Sequence, residues 1–443
     1  MQFIRSLYFT NRLYLCLAVL VCLFVLAFFL PVLLLVAKIA FGVLLLLTLM
    51  DLLLLYRTRQ GMFASRSMQQ KLSNGSDNDI YLYIENKYSF AVHTEVIDEL
   101  PFQFQKRDSL FRANIPKGRT HIIHYTLRPT KRGSYSFGAI NVFAMGTLQF
   151  IKRRFRFAQD QEVPVYPSFI QMQQYELMAI SNRLQEIGVK RVRRIGHSSE
   201  FEQIRPYVAG DDQRTVNWKA SARKAELMVN SYQDEKSQQV YCLIDKGRVM
   251  QMPFEGLSLL DYAINASLVI SNIALKKQDK AGLITFSDKI SNMLPAKRKS
   301  DQIRRIMELL YNQKTMYQET DYERLYTTVR HSIRQRSLLL LFTNFETLNG
   351  AQRQLPYLRA LARHHLLVVV FFENTQLHAL LHQRAKSTEE IYTKAIAQKF
   401  DFDKRQIVKE LQQHGIHAIL TPPEQLTVNT INKYLELKAR GLI

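Results

Sequence analysis

The sequence predicts a multi-domain chain built, in order, from a two-helix transmembrane hairpin, a β-sandwich and a doubly wound α/β domain. Three observations predict it. Residues 13–56 are almost wholly apolar, residues 60–165 hold short alternating strands punctuated by turn residues, and from about 237 apolar strands alternate with helical stretches. A length of 443 residues also exceeds what one compact core usually holds.

The apolar stretch, as one helix at ~1.5 Å per residue, would far exceed a hydrocarbon core of ~30 Å, so it is expected to cross twice. The spans fall near 13–30 and 35–55, with a tight turn around Pro31, and the hairpin takes residues 1–59. Arg5 and Arg12 precede the first span and Arg57, Arg59 and Arg66 follow the second, while only Lys38 lies near the turn. Excess positive charge marks the cytoplasmic side, which places both outer ends and the body behind them there. A cleavable signal peptide fits less well, because a second apolar stretch follows and no small-residue cleavage site is clear. Asp51 is an acid inside the second span, expected to pair with Arg12 or to reach water at the cytoplasmic end.

Residues 60–165 carry alternating strands at 80–85, 91–96, 120–127 and 134–138. Asn74-Gly75, Pro116-Lys117-Gly118 and Lys131-Arg132-Gly133 supply the turns. Short, evenly punctuated strands predict a β-sandwich of immunoglobulin-like type. A polar, Arg-rich connector follows at 166–236. In the last segment, 237–443, strands at 240–245, 282–287, 338–345, 366–372 and 417–420 alternate with helices at 256–276, 301–312, 321–336, up to 364, and 426–440, with a long helical region before the last strand. Continuous apolar strands are those of a parallel sheet covered on both faces.

Lysines and arginines number 60 against 38 acids, a net charge of +22. Such an excess suits anionic lipid, nucleic acid or an acidic protein. Cys16, Cys22 and Cys242 show no CxxC spacing, which argues against a disulfide framework or cysteine-rich zinc site and fits a reducing compartment. His121 and His124 lie three apart on a strand and point to opposite faces. His378 and His382 share a helical face but lack the glutamate that zinc peptidases place after the first histidine. There is no Walker A loop, no Gly-x-Gly-x-x-Gly and no Gly-x-Ser-x-Gly, so nothing in the sequence points to ATPase, dinucleotide or serine-hydrolase chemistry.

The connector holds the densest motif, Arg205-Pro-Tyr207-Val-Ala-Gly210-Asp211-Asp212-Gln-Arg214-Thr-Val216-Asn-Trp218-Lys219-Ala-Ser-Ala222-Arg223. Asp211 or Asp212 is expected to cap a short helix after a sharp turn at Gly210. On that helix Arg214 and Trp218, and Lys219 and Arg223, lie four apart and share faces. The plain expectation is that Trp218 plugs the junction with the α/β domain while the charges pair locally; the other is a docking surface, for which Trp and Arg are favoured anchors. Two alternatives remain at this level. One is an enzyme of unknown reaction, with Asp211 or Asp212 as base and Arg214, Lys219 or Arg223 binding an anion. The other is nucleic-acid or lipid binding through the Lys-Arg-Val-Arg-Arg run at 190–194; no reading module accompanies it, so no specific nucleic acid is expected.

This motif resembles the hallmark of the domain of unknown function 58 family, R-x-Y-x-x-G-D-x-x-R-x-I-x-W-K-x-x-A-R, with Val216 in the isoleucine place. The resemblance extends to Tyr125-Thr-Leu-Arg-Pro-Thr-Lys-Arg-Gly133, to Val165-Tyr-Pro167, to the closing stretch from Tyr434 to Gly441 and to the two N-terminal helices. It implies a von Willebrand factor A-like α/β domain and a MoxR-type AAA+ ATPase as partner. Von Willebrand A domains hold Mg²⁺ through an Asp-x-Ser-x-Ser turn, a Thr and a later Asp, oxygen ligands suited to a hard cation. The corresponding positions are Asp245, Thr320 and Asn344, but both serines are missing and Lys246 and Arg248 intrude, either of which is placed to neutralise Asp245. Mg²⁺ binding is expected to be weak or absent. The reading is a non-enzymatic adaptor on a bacterial inner membrane, two-pass, its soluble domains cytoplasmic, serving complex assembly or envelope stress.

Overall fold

The computed structural model describes residues 5–106, 109–180, 199–208, 211, 213–234, 237–382 and 387–442. The chain divides into two compact units, residues 1–165 and 166–443.

In the first unit, β1 (Leu7–Phe9) leads into α1 (Asn11–Phe29) and α2 (Val32–Arg57), both long and apolar enough to cross a membrane. Their apolar side chains face outward: Leu15 is 66% exposed and Phe28 85%. A soluble core helix would hide such a face. Ten further strands follow: β2 (Met62–Met68), β3 (Leu72–Ser73), β4 (Asn78–Asn86), β5 (Val92–Asp98), β6 (Leu110–Ile115), β7 (Thr120–Leu127), β8 (Gly133–Phe137), β9 (Ile140–Met145), β10 (Ile151–Phe157) and β11 (Gln161–Tyr166). They form sheets ordered β1-β10-β9-β5-β6, β2-β4-β7 and β3-β11-β8. Alternation builds the core. On β4, Ile80, Leu82 and Ile84 are buried while Tyr81 and Tyr83 face out, and the inward set packs with Val96, Phe137 and Val165.

The hairpin is fastened to this sheet system rather than tethered by a linker. β1 pairs antiparallel with β10. Thr10 caps α1 and its hydroxyl donates to Gln149 O (2.6 Å). Arg153 on β10 donates to Leu55 O (2.5 Å) and Thr58 O (2.7 Å), satisfying carbonyls that the end of α2 leaves open. Asp51 corrects the expectation made for it. It is buried and meets neither Arg12 nor water; its Oδ2 accepts the backbone N–H groups of Phe150 (3.0 Å) and Ile151 (3.2 Å) at the start of β10. Gly146 makes the approach possible, since a Cβ there would collide with Asp51 Oδ1. Arg66 is a second correction. Its side chain is 1% exposed and ion-paired with Asp98, so it adds nothing to the positive flank of the second span.

The second unit begins with α3 (Phe169–Ile180), then β12 (Ser199–Pro206), α4 (Trp218–Lys224) and β13 (Met228–Asp234), with β12 and β13 forming an antiparallel hairpin. There follow β14 (Gln239–Asp245), the small β15 (Pro253–Phe254) and β16 (Leu257–Ser258), α5 (Leu259–Lys276), β17 (Lys280–Phe286), β18 (Ile290–Lys297), α6 (Gln302–Tyr311), α7 (Tyr322–Ser332), β19 (Leu338–Phe342), α8 (Leu348–His364), β20 (Leu366–Phe372), α9 (Thr375–His382), α10 (Thr388–Gln413), β21 (His417–Thr421) and α11 (Leu426–Ala439). The sheet order is β18-β17-β14-β19-β20-β21, parallel except for the β17–β18 pair. β18 was not expected from the sequence. Helices α5, α6 and α11 pack on one face and α7, α8 and α10 on the other, which is why Leu338 to Phe342 are all buried.

Candidate functional site

Parallel strands that end together leave their carboxyl ends as the natural place for ligands. Asp245 ends β14 there, fully buried. Its Oδ1 accepts from Gly247 N–H (2.8 Å) and Thr320 Oγ1 (2.6 Å), and its Oδ2 from Thr343 Oγ1 (2.7 Å), with Tyr322 OH 3.4 Å away. Asp321 caps α7 and so holds Thr320 and Tyr322 on either side of it. Gly247 is required by closeness, since a Cβ would run into Thr320 Oγ1. Burial pushes the Asp245 carboxyl up from the usual range, against the hydrogen bonds from Thr320, Thr343, Gly247 and Tyr322 that favour its charge.

Of the three positions matched to a metal site, the structure brings Thr320 to Asp245 but gives Asn344 to another partner. Asn344 Oδ1 accepts from Lys404 Nζ (2.5 Å), which also donates to Phe372 O (2.9 Å). Burial pushes the Lys404 ammonium down to about 8. The expectation that Lys246 or Arg248 neutralises Asp245 is corrected: Arg248 reaches Glu319 (3.7 Å), and Asp245 has no cationic partner among the described residues. The oxygens a hard cation would need are therefore turned to internal donors, one set to hydroxyls and an N–H, the other to an ammonium. No group of three His, Cys, Asp or Glu converges among the described residues. Beside Lys404 opens a cavity of about 270 Å³ walled by Met252, Phe254, Leu377 and Phe400.

The connector motif is arranged differently from expectation. Asp211 caps no helix; its carboxylate is gripped by the Arg205 guanidinium (2.8 and 2.7 Å) and also accepts Val208 N–H (3.0 Å). The hydrogen bonds from Arg205 hold its carboxyl below the ordinary value. Asn217 is the cap of α4, accepting from Ala220 N–H (3.0 Å). Arg214 sits on a separate turn at Gln213–Thr215, so it shares no helix with Trp218, whereas Lys219 and Arg223 do share α4. Tyr207 anchors the base of this excursion through its N–H to Leu227 O (2.8 Å). Trp218 is 73% exposed and plugs nothing. Val208 and Leu227 are exposed as well. Gly210, Asp212 and the basic run at 190–194 lie outside the described residues, as do the side chains of His378 and His382. His124 on β7 stacks on Tyr81 and bonds Asp79 (2.8 Å), an ordinary surface arrangement.

Thr343, Tyr322 and Lys404 were missed from the sequence. Thr343 gave a faint signal as a polar residue closing an apolar strand; Lys404, in a helix rich in charge, gave none.

Two apolar helices followed by a multi-sheet, mixed α/β body define the class of this chain. Residues 203–380 match the family described as "Protein of unknown function DUF58", which bears out, over that region, the resemblance read from the Arg205 to Arg223 motif. "Uncharacterized protein YeaD" of Bacillus subtilis (strain 168) is 30% identical over 179 residues, covering 40% of this chain and 42% of that protein. The chain thus matches less than half the length of this relative. Among solved structures, conserved hypothetical protein BatB from Bacteroides thetaiotaomicron aligns at 12% identity and TM-score 0.29, covering 46% of this chain and 99% of that one. A PapD-like domain of human CEP192 aligns at 13% identity and TM-score 0.18, covering 24% and 84%.

Proposed function

We propose that this protein is a membrane-anchored, non-enzymatic adaptor. Its hairpin spans a bacterial inner membrane twice, its first unit is an immunoglobulin-like sandwich, and its second presents a von Willebrand A-like domain to cytoplasmic partners, a MoxR-type AAA+ ATPase foremost. The observation that carries the reading is the outward face of the connector motif. Trp218, Val208 and Leu227 are exposed there, next to Lys219 and Arg223, and exposed Trp and Arg are the side chains that dominate protein interfaces. The internal bonding of Asp245 and Asn344 supports a surface that works without Mg²⁺.

Affinity capture of the full chain from solubilised membranes is expected to recover an ATPase with the wild type and to lose it with Trp218→Ala. Recovery of none in repeated trials overturns the partnership. Calorimetric titration with Mg²⁺ or Mn²⁺ is expected to show no saturable binding; an isotherm that disappears in Asp245→Ala overturns the metal-free surface. A reporter fused after Ile443 is expected on the cytoplasmic side, and a periplasmic signal removes the ATPase partnership with it.

A further inference from the structure

We propose that an open cavity at the first turn of α1 binds the phosphate-bearing headgroup of an anionic phospholipid. The inference rests on reading α1 and α2 as membrane-spanning and adds a defined lipid site to that reading.

The cavity, about 530 Å³, is bounded on one side by Thr10, Asn11 and Arg12 and on the other by the outer face of the five-stranded sheet. Register explains that face. Lys152 stands opposite Met145, Met145 opposite His93, and His93 opposite Asn114, and one step along the same face Glu95 stands opposite Arg112. Alternation along β10 puts Lys152, Arg154 and Arg156 on this side. Glu95 is ion-paired with Lys152 and lies 3.3 Å from Arg112, so its charge is already answered. Arg12, Arg112 and Lys152 set against Glu95 leave the lining with an excess of two positive charges. Arg12 is exposed and has no ion pair among the described residues. Thr10 occupies the N–H of Leu13, while the N–H groups of Asn11 and Arg12 are among those a helix start leaves without a partner inside the helix.

A free phosphate would satisfy the same donors, but the surroundings favour a lipid. Phe9 and Tyr14, both exposed, meet edge to face at 6.4 Å beside the cavity. Aromatic rings at the end of an apolar helix mark the headgroup level of a bilayer. From there Leu15, Val19 and the rest of the exposed apolar face of α1 run on as a path for acyl chains. A headgroup phosphate at Arg12 with its chains along α1 uses both features; inorganic phosphate uses one.

The test is native mass spectrometry of the full chain in nonionic detergent, with phosphatidylglycerol or phosphatidylcholine added. Phosphatidylglycerol is expected to stay bound and phosphatidylcholine to leave. Arg12→Gln and Arg112→Gln are expected to weaken retention about fivefold for each cation removed, and Arg12→Lys to restore most of it. Both arginines are exposed, so a circular-dichroism melt is expected to show each variant folded. Equal retention of the two lipids, or retention unchanged in the double variant, overturns the site. Displacement of phosphatidylglycerol by millimolar inorganic phosphate overturns the lipid as its source. The reporter after Ile443 separates the failures: a hairpin that spans without charge-dependent lipid retention removes only this site.

Discussion

Asp98 in the first unit and Asp245 in the second are both buried carboxylates at strand ends, and the two units satisfy them in opposite ways. Asp98 meets a guanidinium: Arg66 donates from Nε (3.1 Å) and Nη2, Tyr125 adds its hydroxyl, and Arg66 spends a further bond on Gly138 O (2.9 Å). Asp245 meets only hydroxyls and a backbone N–H. The first arrangement ties β2, β5 and β7 together around one neutralised pair. The second keeps a carboxyl with no cationic partner among the described residues at the edge where α/β sheets receive ligands, while Lys404 is committed to Asn344. A locked ion pair and a carboxyl held by neutral donors differ in what their removal costs.

The largest effect is expected where the pair is closed. Arg66→Ala leaves Asp98 buried without a counter-charge and is expected to destabilise the first unit by about 3–5 kcal/mol, read by urea denaturation. Replacing both partners, Arg66→Met with Asp98→Leu, is expected to recover most of that loss. A loss under about 1 kcal/mol for Arg66→Ala would erase the contrast between the units.

Lys404 offers a pH test on the other side. Its ammonium is pushed by burial from 10.5 to about 8. Between those values the unfolded chain holds a proton that the folded chain has released, so stability rises with pH across the window and the contribution is lost as pH falls through about 8. The rise is expected to be at most on the order of 3 kcal/mol. Urea midpoints between pH 8 and 10 are expected to climb in the wild type relative to Lys404→Met. Identical slopes would mean that the amine is not shielded.

Thr343→Val removes one donor from Asp245 without changing its burial. About 1.5–3 kcal/mol is expected, the range for a hydrogen bond to a charged group. Amide exchange along β14 and β19 reports it. Protection unchanged in those strands would show that Asp245 does not depend on its hydroxyls.

What was legible in the sequence divides along the same line. Apolar runs disclosed α1, α2 and the parallel strands, because burial on both faces of a sheet or around a helix leaves no room for polar residues. β18 was not legible: Ile290–Lys297 is half exposed, carries Pro295 and sits at an edge, so neither alternation nor an apolar run marks it. Thr320 was found through a family pattern, and the fold brings it to Asp245 across 75 residues of chain. The partners of Asp51 could not be read, because backbone N–H groups about a hundred positions away leave no side-chain signature. At the connector, Asp211 and Asn217 are both good helix caps by chemistry. Arg205 decided between them by taking the aspartate.

The smallest expected effect on stability belongs to Trp218, and it sharpens the comparison by giving a residue of the connector motif no structural work to do. A large aromatic side chain that is 73% exposed hides little area from water, so Trp218→Ala is expected to shift stability by no more than about 0.5 kcal/mol. The same substitution in a docking surface removes an anchor, and truncating such an anchor weakens binding by about 2 kcal/mol or more. Capture of the partner should therefore fall by more than tenfold while the urea midpoint stays in place. A midpoint that falls with the capture would return Trp218 to the packing role first expected of it, and the motif would then be a plug at the junction with the α/β domain rather than a face offered to another protein.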